Sequence, residues 1–168
     1  EFLIFGGYPR VVISNNTDDK IEVLKNIYNT YFLKEIKEIL QLQDDFKLSK
    51  LIKVLSLQMG GITNYNELSS ACGFNYPELM KNLNILNKTY ICIEARPFFT
   101  NKKSEIVKSP KIFFLDSGFR NVVIHNFQIL EDRPDIGNLN ENYVASELFK
   151  RDLELKYWRT KVGAESDF

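Results

Sequence analysis

The order of elements between residues 44 and 115 constrains the fold most strongly, because the spacing of apolar residues changes there from helical to strand-like. Apolar residues recur every three or four positions and stop at the double glycine Gly60-Gly61, which predicts a helix and its end. A short extended piece over 62–65, a short helix that Asn66 is expected to cap, a tight turn and a helix over 76–87 follow. Two apolar runs, 90–98 and 111–115, then predict a β-hairpin. This order is typical of a winged helix-turn-helix.

The residues before this unit predict a helical lead-in. From Asp18 to Leu40 apolar residues follow three- and four-residue steps, and charged residues largely fill the opposite face. The chain opens on an apolar run that enters Gly6-Gly7 and Pro9. This pattern indicates either the end of an element that begins earlier or a short N-terminal strand and turn.

The last third of the chain predicts a helix followed by two strands. Asn140 is expected to cap a helix that runs through residue 150. A strand over 155–159, a turn and the start of another strand over 165–168 complete the segment. A helix with an acidic residue, followed by a hairpin that ends in an aspartate, is how a PD-(D/E)xK nuclease core begins.

Three carboxylates are therefore candidates for a vestigial catalytic site: Glu141, Glu147 and Asp167. Metal-dependent phosphodiester cleavage needs several oxygen ligands on a hard cation and a nearby lysine. The strand that would carry a Glu-x-Lys pair is not in the chain. The sequence thus predicts no complete catalytic site and no bound metal.

Basic residues accumulate on the expected recognition helix and hairpin. The candidates for nucleic-acid contact are Lys81, Lys88, Arg96, Lys102, Lys103, Lys108 and Lys111. Five of these cations lie between residues 96 and 111, where Glu105 is the only carboxylate. This local excess of positive charge could attract phosphate groups. Lysines also protect exposed sheet edges from unwanted pairing, so a solvated hairpin tip is the alternative interpretation.

The overall composition restricts the class of function. Lys+Arg 22 against Asp+Glu 22 gives a formal net charge of +0, whereas a dedicated nucleic-acid binder is usually basic. Cys72 and Cys92 lack metal-ligand spacing and are expected to be buried thiols. No apolar run approaches the ~20 residues of a membrane span, and no basic segment opens a signal peptide. These features favour a cytoplasmic protein.

Several short motifs form an ordered series along the chain: Gly6-Gly7-Tyr8-Pro9, the helix at 24–31, and the segments 110–118, 137–148, 158–160 and 165–168. Together they resemble DUF4143, the C-terminal region of a group of prokaryotic AAA+-type ATPases. The resemblance covers essentially the whole chain and is strongest for the ordered series as a whole.

The resemblance implies a non-catalytic accessory fragment of an ATPase. The chain has no Gly-x4-Gly-Lys-Ser/Thr loop, so ATP and Mg²⁺ are expected for the parent protein and no cofactor for these residues. The implied partners are the missing ATPase domain and either duplex DNA or another protein, with no membrane and an open oligomeric state. An alternative is a truncated part of an ATP-driven DNA nuclease that has lost its Glu-x-Lys strand. A third is an interface module packed on the ATPase.

The expected fold is therefore α+β, in three parts. Residues 1–44 form the helical lead-in from the ATPase portion, residues 45–115 the winged helix-turn-helix, and residues 116–168 an incomplete nuclease-like α/β segment.

Overall fold

The computed structural model of the protein describes residues 1–41, 46–159, 165–166 and 168, and its fold is mixed α and β. The helices of this part are α1 (Phe2–Phe5), α2 (Pro9–Val12), α3 (Thr17–Asn26), a π-helical segment (Ile27–Ile36), α4 (Lys37–Leu40), α5 (Phe46–Leu57), α6 (Tyr65–Cys72), α7 (Tyr76–Lys88), α8 (Lys102–Val107), α9 (Ser117–Val123) and α10 (Ile136–Lys150). The strands are β1 (Cys92–Pro97), β2 (Lys111–Phe114), β3 (Lys156–Arg159) and β4 (Glu165–Ser166).

Within the described residues, the strands form one sheet in the order β2-β1-β3-β4. β1 pairs antiparallel with β2, and Cys92 lies opposite Phe114. β1 also pairs in parallel with β3, where Arg96 lies opposite Lys156. Parallel neighbours need a long crossover, which α9 and α10 supply between β2 and β3. β4 adds to β3 in the antiparallel sense.

The outer edge of β2 is covered by the residues that follow α5. The Gly60 N–H donates to the Ile112 carbonyl at 3.1 Å, and the Thr63 N–H donates to the Pro110 carbonyl at 2.9 Å. An edge strand otherwise presents unpaired backbone groups, which are costly when buried. This short extended segment, expected from the sequence, therefore completes the sheet on that side.

One hydrophobic core draws side chains from all three parts of the sequence. Its buried residues include Phe32 of the π-helical segment, Leu83 of α7, Phe113 of β2, Phe119 of α9 and Leu139 of α10. The Phe32 and Phe119 rings meet edge to face, with centroids 5.3 Å apart. All three parts therefore contribute to this core. The division of the chain into a lead-in, a winged helix-turn-helix and a nuclease-like segment stays a prediction.

The structure confirms the N-terminal helix expected from residue 18 to Leu40, but the middle of this helix is not α-helical. Asn16 caps it, because its side-chain oxygen accepts the Asp19 N–H at 2.8 Å. Its middle, Ile27–Ile36, is π-helical, which the three- and four-residue spacing did not indicate. In this segment Tyr28 and Phe32 stack, with ring centroids 5.6 Å apart.

Two helix starts expected from the sequence are wrong. Asn64, rather than Asn66, caps α6, because the extended backbone at Asn64 lets its side chain accept the N–H groups of Asn66 and Glu67. α10 begins at Ile136, so Asn140 lies inside the helix and does not cap it. Glu141 is consequently not in the first turn, where the helix dipole would stabilise its charge.

The tip of the hairpin is a helix rather than the expected turn. After Asn101 the chain enters α8, and the Asn101 side-chain oxygen accepts the Lys103 N–H at 3.0 Å. Lys102 and Glu105 form an ion pair one turn apart at 3.2 Å. The side-chain cap and the i,i+3 pair stabilise a short helix locally.

Candidate functional site

The acidic candidates do not form a complete site in the described residues. Glu141 Oε1 lies 3.3 Å from the Nζ of Lys111, whose side chain is buried. Glu147 instead pairs with Lys150 at 2.8 Å on the surface of α10. Asp167 lies outside the described residues. Within those residues, no group of three or more His, Cys, Asp or Glu side chains could hold a metal ion.

The neighbouring residue, Asn142, has a structural role that the sequence analysis missed. Its amide nitrogen donates to the Phe114 carbonyl at 3.1 Å, and its oxygen accepts the Phe114 N–H at 2.6 Å. The buried amide thus pairs with β2 as a strand would. Glu141 fits beside Gly60, where an added Cβ would lie 2.9 Å from Glu141 Oε2. The adjacent residues Glu141 and Asn142 therefore fasten α10 to the edge of the sheet.

A second polar group fastens the N-terminal segment to α9. It consists of Asp116, Ser117, Gly118 and Asn121, which we call the N-terminal clamp. The Ser117 hydroxyl donates to the Phe2 carbonyl at 2.8 Å. The Asn121 amide donates to the carbonyls of Leu3 and Ile4, both at 2.9 Å. The sequence analysis expected a strand or the end of an element here, and the structure has the helical turn α1.

The two ends of the clamp, Asp116 and Gly118, lie against the backbone of residues 5–7. Asp116 accepts the Gly7 N–H at 2.7 Å and the Phe119 N–H at 2.8 Å. Burial raises the pKa of the Asp116 carboxyl, and these backbone donors oppose the rise. A Cβ on Gly118 would lie 2.1 Å from the Phe5 carbonyl oxygen. Only glycine at position 118 allows the two backbones to approach this closely.

A buried charge network adjoins the clamp. Asp135 accepts hydrogen bonds from the guanidinium groups of Arg133 and Arg120. Hydrogen bonds from Arg133, which have the largest effect, and from Arg120 hold the pKa of the Asp135 carboxyl well below its usual range. Arg120 also donates to the Ser56 carbonyl at 2.9 Å, and Arg133 donates to the Asn121 oxygen at 2.9 Å. The network joins α5, α9 and the start of α10, and each charged group has partners.

Both cysteines are buried and free, as expected from the sequence. Burial raises the pKa of the Cys72 and Cys92 thiols. A protonated thiol is a poor nucleophile, so neither cysteine is a candidate catalytic residue.

Four of the seven basic candidates already have partners. Lys111 is only 3% exposed, so in this fold it lies in the protein interior and not on a nucleic-acid-binding surface. Arg96 pairs with Glu94 at 2.6 Å, and Lys102 pairs with Glu105. Lys81 reaches the Leu40 carbonyl at 3.4 Å. The other three candidates, Lys88, Lys103 and Lys108, are exposed and form no ion pair within the described part of the chain.

The connection between β1 and β2 places a carboxylate inward and apolar side chains outward. Glu105 is buried; it accepts the Phe99 N–H at 3.1 Å and lies 3.4 Å from Lys156. The Phe99 N–H lowers the pKa of the Glu105 carboxyl, as do the nearby lysines. The next residues of α8, Ile106 and Val107, are 71% and 70% exposed. Exposed apolar groups concentrated in one segment are typical of interaction surfaces.

Beside this helix lies a cleft of about 360 Å³, which we call the hairpin groove. Its lining residues are Ile62, Pro97, Phe98, Phe99, Lys108, Ser109, Tyr157 and Arg159. A larger cleft of about 520 Å³ lies near Glu94, Arg96, Glu105 and Lys156. The charges in the larger cleft bind one another, and the lining of the hairpin groove includes aromatic rings as well as Lys108 and Arg159.

The model of one protein family, described as "Domain of unknown function (DUF8612)", matches residues 1–129. The chain belongs to this family. The match includes the N-terminal clamp and both strands of the hairpin, β1 and β2, and it ends before α10. No curated protein and no solved structure is significantly similar to the chain.

The resemblance to DUF4143 is therefore wrong, because the match is to a different family. The motifs that suggested it have packing roles in this DUF8612 protein. Gly6-Gly7 approaches the clamp, and Glu141 with Asn142 fastens α10 to β2. Short motifs of glycine and polar residues reflect such close contacts and are weak evidence for a particular family.

Among the helices that the structure describes, none is long and apolar enough to cross a membrane.

Proposed function

We propose that this DUF8612 chain is a non-catalytic docking module that binds a protein partner through residues 97–109. The observation that carries the proposal is the inverted polarity of α8, whose carboxylate Glu105 faces inward while Ile106 and Val107 face solvent. Together with Phe98 and Phe99, these residues supply the apolar and aromatic contacts that dominate protein interfaces.

The distribution of polar partners supports binding rather than catalysis. A catalytic site needs a charged or nucleophilic group directed at open space. The Arg120–Asp135–Arg133 network and the larger cleft instead use their charged groups on one another, and the clamp uses Asp116 on backbone N–H groups. The connection between β1 and β2 exposes Phe98, Phe99, Ile106 and Val107 together, which suits a docking role.

Duplex DNA is the second candidate partner. The order α5-α6-α7-β1-α8-β2, with Ile62 bridged to Lys111, is similar to the order of a winged helix-turn-helix, with α8 at the tip of the wing. Lys103 and Lys108 project from the connection where such a fold has its wing. The net charge of +0 and the ion pairs of Arg96 and Lys102 favour a protein partner over a phosphate backbone.

Site-specific photocrosslinking in the native cell tests the docking proposal. The photoreactive residue p-benzoylphenylalanine replaces Phe99, which is 40% exposed, or Tyr31, which is a matched control at 47%. We expect a discrete crosslinked protein at position 99 and not at position 31. Adding Ile106→Ser and Val107→Ser should suppress it. Equal crosslinking at both positions, or none at position 99, would contradict docking through this segment.

A DNA titration separates the two candidates. For a protein-docking module we expect no binding of a duplex oligonucleotide at low salt. If the duplex binds with a steep salt dependence, and Lys102→Glu, Lys103→Glu and Lys108→Glu together abolish binding, duplex DNA becomes the better-supported partner.

A further inference from the structure

A cleft of about 350 Å³, which we call the tyrosine pocket, lies between the N-terminal segment, the end of α7 and the end of α10. Its lining includes Tyr8, Tyr31, Tyr90 and the carboxylate of Asp116. The described lining residues of this pocket and of the hairpin groove do not overlap. Its volume is near the lower end of the roughly 300–1,000 Å³ of small-ligand pockets. A small molecule therefore suits the pocket better than a long segment of protein.

The carboxylate in this pocket has no cationic partner of its own. The N–H groups of Gly7 and Phe119 hold Asp116 in place, but these donors are neutral. In the described part of the chain Asp116 forms no ion pair. Lys150 lines the pocket and opposes the rise in the pKa of the Asp116 carboxyl, yet its ammonium group pairs with Glu147 at 2.8 Å. The pocket and this ion pair together carry one net negative charge, which favours a cationic ligand.

The three tyrosines add groups that attract a cation with N–H donors. The hydroxyls of Tyr8, Tyr31 and Tyr90 form no hydrogen bond with the described residues, so their lone pairs are available. Burial, and then the charge of Asp116, raise the pKa of the Tyr8 hydroxyl, which therefore stays neutral. Aromatic rings also attract a cation placed over their faces. A primary ammonium group, with three N–H donors and no acceptor, matches these groups.

The backbone at Tyr90 indicates that its ring is placed for more than packing. Its φ is 58°, in the left-handed region, where a bulky side chain is rare. Its ring meets that of Phe149 with centroids 6.3 Å apart, but the side chain is still 63% exposed. Burial thus does little to offset the strained backbone. Residues held in such conformations cluster at functional sites, including those that hold ligands.

We propose that the tyrosine pocket binds a small amine through its primary ammonium group and a short apolar chain. The ammonium group donates to the Asp116 carboxylate and the Tyr8 hydroxyl, and the rings of Tyr31 and Tyr90 lie beside the cation. Ile91 supplies an apolar wall for the chain. This site is separate from the docking surface at residues 97–109, so either proposal can fail without the other.

Fragment titrations on the full chain test this chemistry by NMR of isoleucine methyl groups. The Ile91 methyls report on the tyrosine pocket, and the Ile62 methyls report on the hairpin groove as a control. The probes are n-butylamine, which is an ammonium ion at neutral pH, 1-butanol and butyrate. We expect n-butylamine to shift Ile91 and not Ile62. Its Kd should be about tenfold lower than that of 1-butanol, because charge-assisted hydrogen bonds and cation–π contacts add to the shared apolar burial.

A pair of tyrosine variants tests the aromatic lining. Tyr31→Leu keeps an apolar wall and removes the ring, so it should raise the Kd of n-butylamine about threefold and leave that of 1-butanol unchanged. Tyr76→Leu is the control, since Tyr76 is similarly exposed and does not line the pocket. Equal effects of the two variants would overturn the assignment of the rings.

Two further variants test the charge. Asp116→Asn keeps an oxygen that can accept the Phe119 N–H and removes the negative charge, so the Kd of n-butylamine should rise to that of 1-butanol. If this variant unfolds, Lys150→Gln gives the same information from the surface. It removes a competing cation and should lower the Kd of n-butylamine about two- to threefold, whereas Lys103→Gln should leave it unchanged. An unchanged or higher Kd for Lys150→Gln would contradict recognition by charge.

Other outcomes would overturn the proposal in distinguishable ways. Equal or tighter binding of 1-butanol or butyrate would exclude a cation site. Tighter binding of n-butyltrimethylammonium than of n-butylamine would exclude recognition through N–H donors. No shift of Ile91 by any probe would exclude a ligand in the pocket. A lysine side chain carries the same ammonium group, so a discrete crosslinked protein at Tyr31 in the photocrosslinking experiment would overturn the choice of a free amine.

Discussion

The residues around α9 and those in the connection between β1 and β2 both include buried carboxylates. Around α9 they hold the fold together, whereas in the connection they leave apolar side chains exposed. Around α9, carboxylates, amides and guanidinium groups bind one another and the backbone of α1, and they are buried. In the connection, one buried carboxylate, Glu105, holds the backbone while Ile106 and Val107 remain exposed. Residue type therefore does not reveal function here. The number of partners separates groups that hold the fold from groups available to bind.

The largest expected effect comes from removing the shared carboxylate of the α9 region. Asp135→Ala leaves the buried guanidinium groups of Arg120 and Arg133 without their common partner. Breaking a buried ion pair in this way costs about 3–5 kcal/mol of the free energy of unfolding. Urea denaturation measures the loss, with exposed Asp132→Ala as the control. A loss as small as that of the control would mean that the network does not stabilise the fold.

A second variant tests whether buried polar contacts also stabilise the fold where α10 meets the sheet. Asn142→Ala leaves the Phe114 N–H and carbonyl without a partner in a buried position. We expect a loss of about 2–4 kcal/mol, since each unsatisfied buried group costs ~1–3 kcal/mol. Asn140→Ala, at an exposed position of the same helix, should change stability little. Similar losses for both variants would show that the hydrogen bonds between Asn142 and Phe114 contribute little to stability.

A third pair of variants tests the close approach at the clamp. Gly118→Ala puts a Cβ against the Phe5 carbonyl and should destabilise the protein by about 1–3 kcal/mol. Gly137→Ala, in α10, meets nothing within 4 Å and should stabilise the protein by roughly 0.5–1 kcal/mol. Thermal unfolding of both variants gives the difference. Shifts of the same sign would argue against a steric role for Gly118.

The smallest effect is expected in the connection between β1 and β2. Ile106→Ser and Val107→Ser remove exposed side chains, so the free energy of unfolding should change by less than about 0.5 kcal/mol for each. The same variants should abolish crosslinking from position 99. A stability loss above ~1 kcal/mol would indicate that these residues support the fold, and the contrast between the two regions would then disappear.

Local signals predicted much of this fold, and contacts between distant residues account for most of what was missed. Apolar spacing predicted the helices near α5 and α7 and the hairpin strands, because periodicity directly reflects which face is buried. It did not predict α9, where every residue from Ser117 to Val123 is buried and no polar face marks the helix. Nor did it predict the burial of Lys111, which depends on Glu141 thirty positions later.

The candidate site was predicted only in part. The cations of the hairpin suggested a binding surface there, whereas the proposed docking surface depends on apolar residues of the same segment. Five cations against one carboxylate suggested a basic patch, whereas ion pairs to Glu94, Glu105 and Glu141 neutralise three of them. Such pairings form between strands and helices whose relative positions the sequence does not give. The Asn101 side chain that caps α8 was a local signal in the sequence, and the buried Glu105 lies in that helix.

The N-terminal clamp also determines when this chain can finish folding during synthesis. The carbonyls of Phe2, Leu3 and Ile4 are bonded by Ser117 and Asn121, which are 115 to 118 positions away in sequence. A ribosome that adds ~5–20 residues per second reaches these donors several seconds after making α1. α1 is thus translated well before the donors that fix it, and it must wait undocked while α3 to α8 are translated.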